Sequence, residues 1–417
     1  MDFPAAAPYP CRMTNLPKPQ MLDRTTPPHI LTLILLAGIS TLAMNIFLPS
    51  LPGMTAYFNT DYRLMQLSVA LYLGVNAVLQ LLMGPISDKL GRRPVILTGM
   101  AIFLLASLGC ALASNAYVFL AFRMLQASVV VAMALSRAVV RDMVPEAQAA
   151  SMMGYVTMGM AVVPMIGPAF GGMLDQAFGW QANFYALALL AALVLWLVWA
   201  DLGETAPATG RTMSEQFREY PELLTSPRFW GYASASALSS GSFFAYFGGA
   251  PFVGDQVFGM TPSQLGFFFG APAIGYFLGN FISGRFSVRI GINRMVFWGT
   301  VINATGIGTN LLLFYLGYGN QYTFFGFMCF MGLGNGMTIP NASAGSLSVR
   351  PHLAGTASGL GGALMIGGGA ALSAIAGASL SAETGAFPLL WIMFITALLG
   401  ILAILFVIWR EKQLARY

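Results

Sequence analysis

Charge is what this sequence has least of. Its 417 residues hold 20 Lys and Arg and 15 Asp and Glu, 8% in all, about a third of the share in an average soluble protein. A fold solvated by water needs more charge than this on its surface, and 57% of the residues are apolar, so the composition calls for lipid as the solvent. Lysine and histidine are scarcer still: Lys18, Lys89 and Lys412, with His29 and His352. None of the lysines follows a glycine, which excludes a nucleotide-cradling G-K-[S/T] loop and argues against ATP as the energy source. Two histidines without a carboxylate cluster in an apolar segment support neither a metal site nor a hydrolytic centre, so no cofactor and no enzymatic activity are expected. Cys11, Cys110 and Cys329 have no ligand spacing and imply no disulfide framework. The net charge of +5 does not imply nucleic acid as a partner, because the basic residues come in small groups between apolar segments rather than on one phosphate-binding face.

What is abundant is the apolar run. A helix needs about 20 such residues to cross hydrocarbon, and that length fits twelve segments: 29–49, 66–86, 95–113, 117–139, 152–174, 181–200, 230–252, 265–284, 295–316, 321–343, 358–380 and 387–409. They are spans 1 to 12 below. Of the 20 basic residues, 18 lie in the tails, in every second loop or at the adjoining helix ends. Lys and Arg favour the cytoplasmic side, so both termini are expected there, in an inner (plasma) membrane. The organisation expected is a tail (1–28), a six-helix bundle (29–200), a polar linker (201–229), a second six-helix bundle (230–409) and a short tail (410–417). At an offset of 200 residues Gly84, Gly91 and Gly99 meet Gly284, Gly291 and Gly299, with Lys89 opposite Arg289. This echo favours two duplicated halves, an architecture that places a substrate site between them.

Several local patterns carry chemistry. After span 2 the chain reads Gly84-Pro-Ile-Ser-Asp88-Lys-Leu-Gly91-Arg92-Arg93, a tight turn with one carboxylate and a basic cluster at a membrane face. Either it is a plain orienting loop, or Asp88 pairs with an arginine in one conformation and releases it in another. Arg123 lies about six residues into span 4, roughly 9 Å deep at 1.5 Å per residue. Charge at such depth marks a functional site by default, although a shallow arginine also snorkels to the surface. Span 5 contains Gly159-Met-Ala-Val-Val-Pro164-Met-Ile-Gly167-Pro168-Ala-Phe-Gly171-Gly172: prolines one turn apart bend it, and glycines admit a neighbouring helix. In span 11 Gly355, Gly359, Ala363, Gly367 and Ala371 form a second small-residue groove. Static packing and a sliding interface between halves both fit these grooves.

The loop after span 2 resembles the signature of the major facilitator superfamily. Arg123-Met-Leu-Gln126-Ala127 is similar to that family's R-x-x-Q-G element, and the span 5 run to the element of its drug-exporting antiporter branch, as is Leu202-Gly-Glu204-Thr205 to L-P-E-T. Asn45-Ile-Phe-Leu-Pro49-Ser-Leu-Pro52 and Arg137-Ala-Val-Val-Arg141-Asp142 resemble the Bcr/CflA (bicyclomycin/chloramphenicol resistance) subgroup. The resemblance implies an all-α fold of two pseudo-symmetric six-helix bundles, export of drugs or other small organic molecules by alternating access, and coupling to protons, in a monomer. It also implies a coupling role for Arg123 with Gln126 and Asn45. There the sequence departs from its relatives, because Asn45 stands where they have an aspartate, and asparagine carries no proton. Depth alone lets Asn45 and Arg123 hydrogen-bond to each other.

Asn76 and Gln80 of span 2, Gln126 of span 4, and Asn335 and Asn341 of span 10 are the polar candidates for a substrate cavity, with Tyr72, Met158, Tyr246, Phe247 and Phe269 as its apolar wall. Amides and aromatics without an obligatory charge suit neutral or amphipathic molecules. A facilitator or importer of a metabolite on the same fold is the alternative, and a non-transporting sensor a more distant one.

Overall fold

The structure, a computed structural model, describes residues 20–143, 163, 166–205, 221–350 and 353–414. Every regular element among them is helical. Nine helices of the described residues are long and apolar enough to cross a membrane: Ile30–Tyr57, Tyr62–Gly84, Arg92–Ala111, Ala116–Val140, Gln181–Asp201, Pro262–Ile290, Ile292–Tyr315, Thr356–Ser379 and Phe387–Leu414. Spans 7 and 10 are helices of similar length, Pro227–Phe252 and Gln321–Ser348, whose Ser, Gly and Asn lower their hydropathy. Eleven of the twelve expected spans are thus seen, and the fifth is helical from 166 to 178. The part of span 5 that contains Met158, Gly159 and Pro164 lies outside the described residues.

Polar residues fix the helix starts. Asp61, Asn115, Thr261 and Asn320 cap spans 2, 4, 8 and 10, each accepting from a backbone N–H of the first turn at 2.7, 3.0, 3.3 and 2.9 Å, which satisfies donors that a helix end otherwise leaves bare. All four lie at the end of the bundle remote from the termini, here the far end. At the termini end, Gly91 (φ +94°) separates spans 2 and 3, and Gly291 (φ +90°) separates spans 8 and 9. Both occupy the left-handed region that favours glycine.

Spans 1, 2, 3, 4 and 6 pack on one another, and spans 7 to 12 do likewise. The 200-residue echo is geometrical as well as textual. Gly84 and Gly284 face open space among the described residues, and Gly99 and Gly299 each take a neighbouring helix against their bare Cα, Val131 and Ser128 in one half, Gly334 and Thr338 in the other. Between halves, span 2 runs against span 11, and spans 7 and 8 meet the far end of span 1.

Prolines interrupt two spans. Pro49 has no N–H to give Asn45's carbonyl, so the first helix stops at Asn45 and resumes through a tight turn at Leu48–Ser50. Pro272 does the same in span 8, where Pro262–Phe268 gives way to Ala271–Ile290.

Candidate functional site

Span 4 starts at Ala116, so Arg123 sits two turns inside it. The snorkelling alternative does not hold: the side chain is 1% exposed. Its Nη1 donates to Gln126 Oε1 (2.7 Å), Nη2 to the Ala43 carbonyl (3.0 Å) and Nε to the Ser68 carbonyl (3.3 Å). The guanidinium carbon lies 4.3 Å from the ring centre of Phe47 and 4.0 Å from that of Tyr72, a cation–π sandwich. Gln126 passes the network on, donating to Ser107 Oγ (2.8 Å), which donates to the Phe103 carbonyl (2.8 Å). Each of these partners is neutral. A buried cation normally pairs with a carboxylate; here dipoles and aromatic faces from spans 1, 2 and 4 take that place.

Asn45 does not bond to Arg123. Ala43 and Phe47, four residues apart, share the face of span 1 that meets the arginine, whereas Asn45 between them is rotated by roughly 200°. Its amide points at span 5 instead, where a Cβ on Gly167 would come 3.0 Å from Asn45 Oδ1. Asn45 is fully buried, and neither amide atom has a hydrogen-bond partner among the described residues. One turn on, Gly171 lies so close to span 1 that a Cβ would fall 1.8 Å from the Ile46 carbonyl oxygen. Gly167 and Gly171 thus receive span 1 of their own half. Gly172 reaches across, to Pro262 of span 8, with Ser263 Oγ on its carbonyl (3.3 Å); Pro168 likewise offers its carbonyl side to Gly266 of the same helix.

At the termini end Arg92 is buried. It pairs with Asp88 (2.6 Å) and also donates to Ser87 Oγ. Glu204 then joins two motifs that lie far apart in sequence. Its carboxylate accepts from the backbone N–H of Arg92 (2.8 Å) and Arg93 (3.3 Å), capping span 3 where the helix dipole favours an anion. Arg93 closes the junction by donating to the Leu202 (2.8 Å) and Trp199 (3.2 Å) carbonyls. A side chain on Gly91 would collide with Glu204. The signal for this contact was the pair of motifs, read separately from the sequence.

The cavity candidates are spread over both halves. Tyr72, Asn76 and Gln80 follow one another along span 2, and each has a buried polar atom without a partner; Gln80 lies against Gly362 of span 11. Tyr246 packs at a tilt against Phe269 (ring centres 4.9 Å apart), and its hydroxyl has no partner among the described residues. Asn335 accepts from Ser239 but leaves its amide nitrogen unpaired. Asn341 is occupied within its own half, donating to Ser283 Oγ (2.7 Å) and the Met337 carbonyl (2.8 Å).

A cross-half latch escaped the sequence reading. Gln66 Nε2 of span 2 donates to Ser373 of span 11, to its carbonyl (2.6 Å) and its Oγ (2.9 Å), and the Tyr62 hydroxyl donates to the Gly248 carbonyl of span 7 (2.8 Å). Gly248 and Gly377 shape a slot around the Gln66 side chain. Toward the termini end, a Cβ added to Gly84 of span 2 or to Gly359 of span 11 would meet nothing within 4 Å among the described residues. A polar residue one turn into an apolar span was the available signal, masked because span 2 begins at Tyr62, a turn earlier than its apolar run.

The sequence model of the Major Facilitator Superfamily matches residues 33–365 and 255–416. An MFS-type transporter of Bacillus subtilis is 31% identical over 88% of this chain and 92% of its own length. A chloramphenicol resistance protein of Pseudomonas aeruginosa is 33% identical over 78% of this chain and 79% of its own. Multidrug resistance protein D of Escherichia coli is 28% identical over 90% and 94%. Among solved structures, a D-xylose–proton symporter superposes with a TM-score of 0.71 at 16% identity, over 91% of this chain and 96% of its own. A bacterial homologue of the lysosomal transporter Spinster also gives 0.71 at 16%, over 92% and 96%.

Proposed function

The chain belongs to the major facilitator superfamily, and we propose that within it the protein exports small organic molecules, antimicrobial compounds among them, by alternating access coupled to protons. The observation that carries this reading is the latch between the halves at the far end, through Gln66, Tyr62, Ser373 and Gly248. Halves held together at one end by a few side-chain contacts are one of the two states that alternating access requires. The names of the relatives, chloramphenicol, multidrug and bicyclomycin resistance proteins, support export of drug-like molecules over import of a nutrient. The protein is a multi-pass membrane protein, and the clustering of basic residues supports termini in the cytoplasm, so the latched far end faces away from the cell interior. It works as a monomer, without ATP or nucleic acid.

In this reading Arg123, Gln126 and Asn45 form the coupling region. Arg123 holds spans 1, 2 and 4 together at the bend of span 1. It cannot itself release a proton, because a guanidinium stays charged in proteins. The loop of Gly84, Asp88, Gly91, Arg92 and Arg93 gates the termini end, Gly172 and Pro168 of span 5 carry the moving contact with span 8, and Tyr72, Asn76, Gln80, Tyr246, Asn335 and Asn341, with Met158, line the substrate path. The test is drug efflux from cells or vesicles under an imposed pH gradient, for wild type and Asn45→Asp. Wild-type efflux is expected to rise with an inward proton gradient, and Asn45→Asp to shift its pH dependence. Efflux indifferent to the gradient contradicts proton coupling.

A further inference from the structure

Asn45 leaves the inner part of the seam between spans 1 and 5 without a titratable group, but the same seam carries one further out. Gly167, Gly171 and Asp175 follow at four-residue steps, so they form one stripe of span 5. Each meets span 1 in turn: Gly167 at Asn45, Gly171 at Ile46, and Asp175 at the Ser50 side chain. Asp175 thus lies two turns, about 12 Å at 1.5 Å per residue, beyond the glycine that faces Asn45. Ser50 is fully buried and follows Pro49, where span 1 bends. Its hydroxyl also accepts from Asn183 Nδ2 of span 6 (3.0 Å), so one hydroxyl joins three spans.

Two oxygens around that hydroxyl lack a donor. Asp175 Oδ2 is buried without a hydrogen-bond partner among the described residues, and so is Oδ1 of the fully buried Asn183. Ser50 has a single proton to give, and Asp175 takes it. The elements packed around the carboxylate bring no counter-charge. Residues 30–60 of span 1 and 262–284 of span 8 contain no Asp, Glu, Lys, Arg or His, and between 147 and 200, through spans 5 and 6, Asp175 is the only one. Tyr57, exposed beside Trp180, is the titratable side chain at this end of span 1. Burial without a counter-charge favours the neutral form of a carboxyl, and protonation supplies the donor that this cluster of oxygens lacks.

We propose that Asp175, Ser50 and Asn183 form a proton-binding site at the far end, which sets how tightly the outer end of span 1 packs on spans 5 and 6. The proton comes from water on the far side, through the exposed part of the Asp175 side chain, and returns to it. Neutral Asp175 closes the seam, whereas ionised Asp175 draws water into it and loosens span 1 beyond Pro49. The same span carries Ala43 and Phe47 onto Arg123, so far-side pH reaches the coupling region through the bend. The site binds its proton whether or not the protein exports, and both measurements read it without transport. The first is infrared difference spectroscopy of the purified full chain in lipid nanodiscs between acid and neutral pH. Wild type is expected to show a protonated-carboxyl band that Asp175→Asn loses. Its midpoint rises in Ser50→Ala, because the hydroxyl stabilises the ionised form. The second is labelling of Met54→Cys, a buried position one turn on from Ser50. Its rate relative to the same cysteine in an Asp175→Asn chain, a ratio that cancels the thiol's own pH dependence, rises a few-fold as pH is raised through that midpoint. A carboxyl band unchanged in Asp175→Asn overturns the proposal. So does a labelling ratio that stays constant with pH.

Discussion

The two halves of this protein share a frame and differ in what they bury. Gly91 and Gly291 turn the chain with φ of +94° and +90°, and Gly99 and Gly299 each receive a helix. Yet the charged side chains buried among the described residues, Arg92, Arg123 and Asp201, all lie before residue 205. The second half is held by glycine instead. Gly275 and Gly279 of span 8 mesh with Gly332 and Gly336 of span 10 so closely that a Cβ on Gly275 would fall 1.8 Å from the Cys329 carbonyl oxygen. The halves thus share turns and helix crossings, while the buried charge among the described residues lies in the first. Removing a buried charge and removing a glycine contact therefore test different things.

The largest effect on stability is expected from the glycine mesh. Gly275→Ala forces two backbones apart, at a cost of about 1–3 kcal/mol or more for overpacking, measured as a loss of folded protein and a lower melting temperature in detergent. Gly359→Ala, where a Cβ meets nothing within 4 Å, serves as the tolerated control on the same half. If both behave alike, close backbone contact is not what holds the second half together.

A smaller effect, on conformation rather than folding, is expected at the latch. Gln66→Ala removes two hydrogen bonds between the halves, each contributing about 0.5–1.5 kcal/mol. The far end should then open more often, read as a rise in labelling of a cysteine placed at the buried position Val69, one turn on from Gln66. Unchanged labelling would mean that the latch does not hold the far end shut.

The smallest effect concerns pH. Asp175, at the far end of span 5, is partly buried, and burial holds its carboxyl above the ordinary value of 3.8 despite a hydrogen bond from Ser50. The folded protein therefore binds this proton more tightly than the unfolded chain, and stability falls as pH rises from 3.8 through the raised value. Asp175→Asn should remove that fall, so the variant gains on wild type toward neutral pH. The gain stays below about 1 kcal/mol because the group is half exposed and screened by solvent. Parallel melting curves against pH for the two proteins would rule this out.

Much of this frame was legible in the sequence, because hydropathy length and turn glycines are local signals. Apolar runs located the spans, and the 200-residue echo placed Gly91 and Gly291 correctly as equivalent turns. Contacts that depend on rotation about a helix axis were not legible. Depth put Asn45 and Arg123 at one level, but the bend at Pro49 and the roughly 200° between Ala43 and Asn45 aim them at different neighbours. Glu204 and the Arg92–Arg93 turn were both visible as motifs, yet only the fold brings residues more than a hundred positions apart into one helix cap. Gln66 was hidden because Asp61 starts its helix a turn before the apolar run begins.

The central claim is that the neutral-partnered arginine of the first half couples the proton gradient to export. The most direct measurement compares pH-gradient-driven drug efflux by wild type and Arg123→Met in proteoliposomes, after both are shown to be folded. Methionine keeps the bulk but leaves the Ala43 and Ser68 carbonyls and Gln126 Oε1 without their donor, at a cost of about 1–3 kcal/mol for each group left unpaired, so the comparison is made on the fraction that stays folded. The account predicts a folded Arg123→Met whose remaining transport no longer responds to the gradient. A folded variant that exports with the gradient dependence of wild type would contradict it.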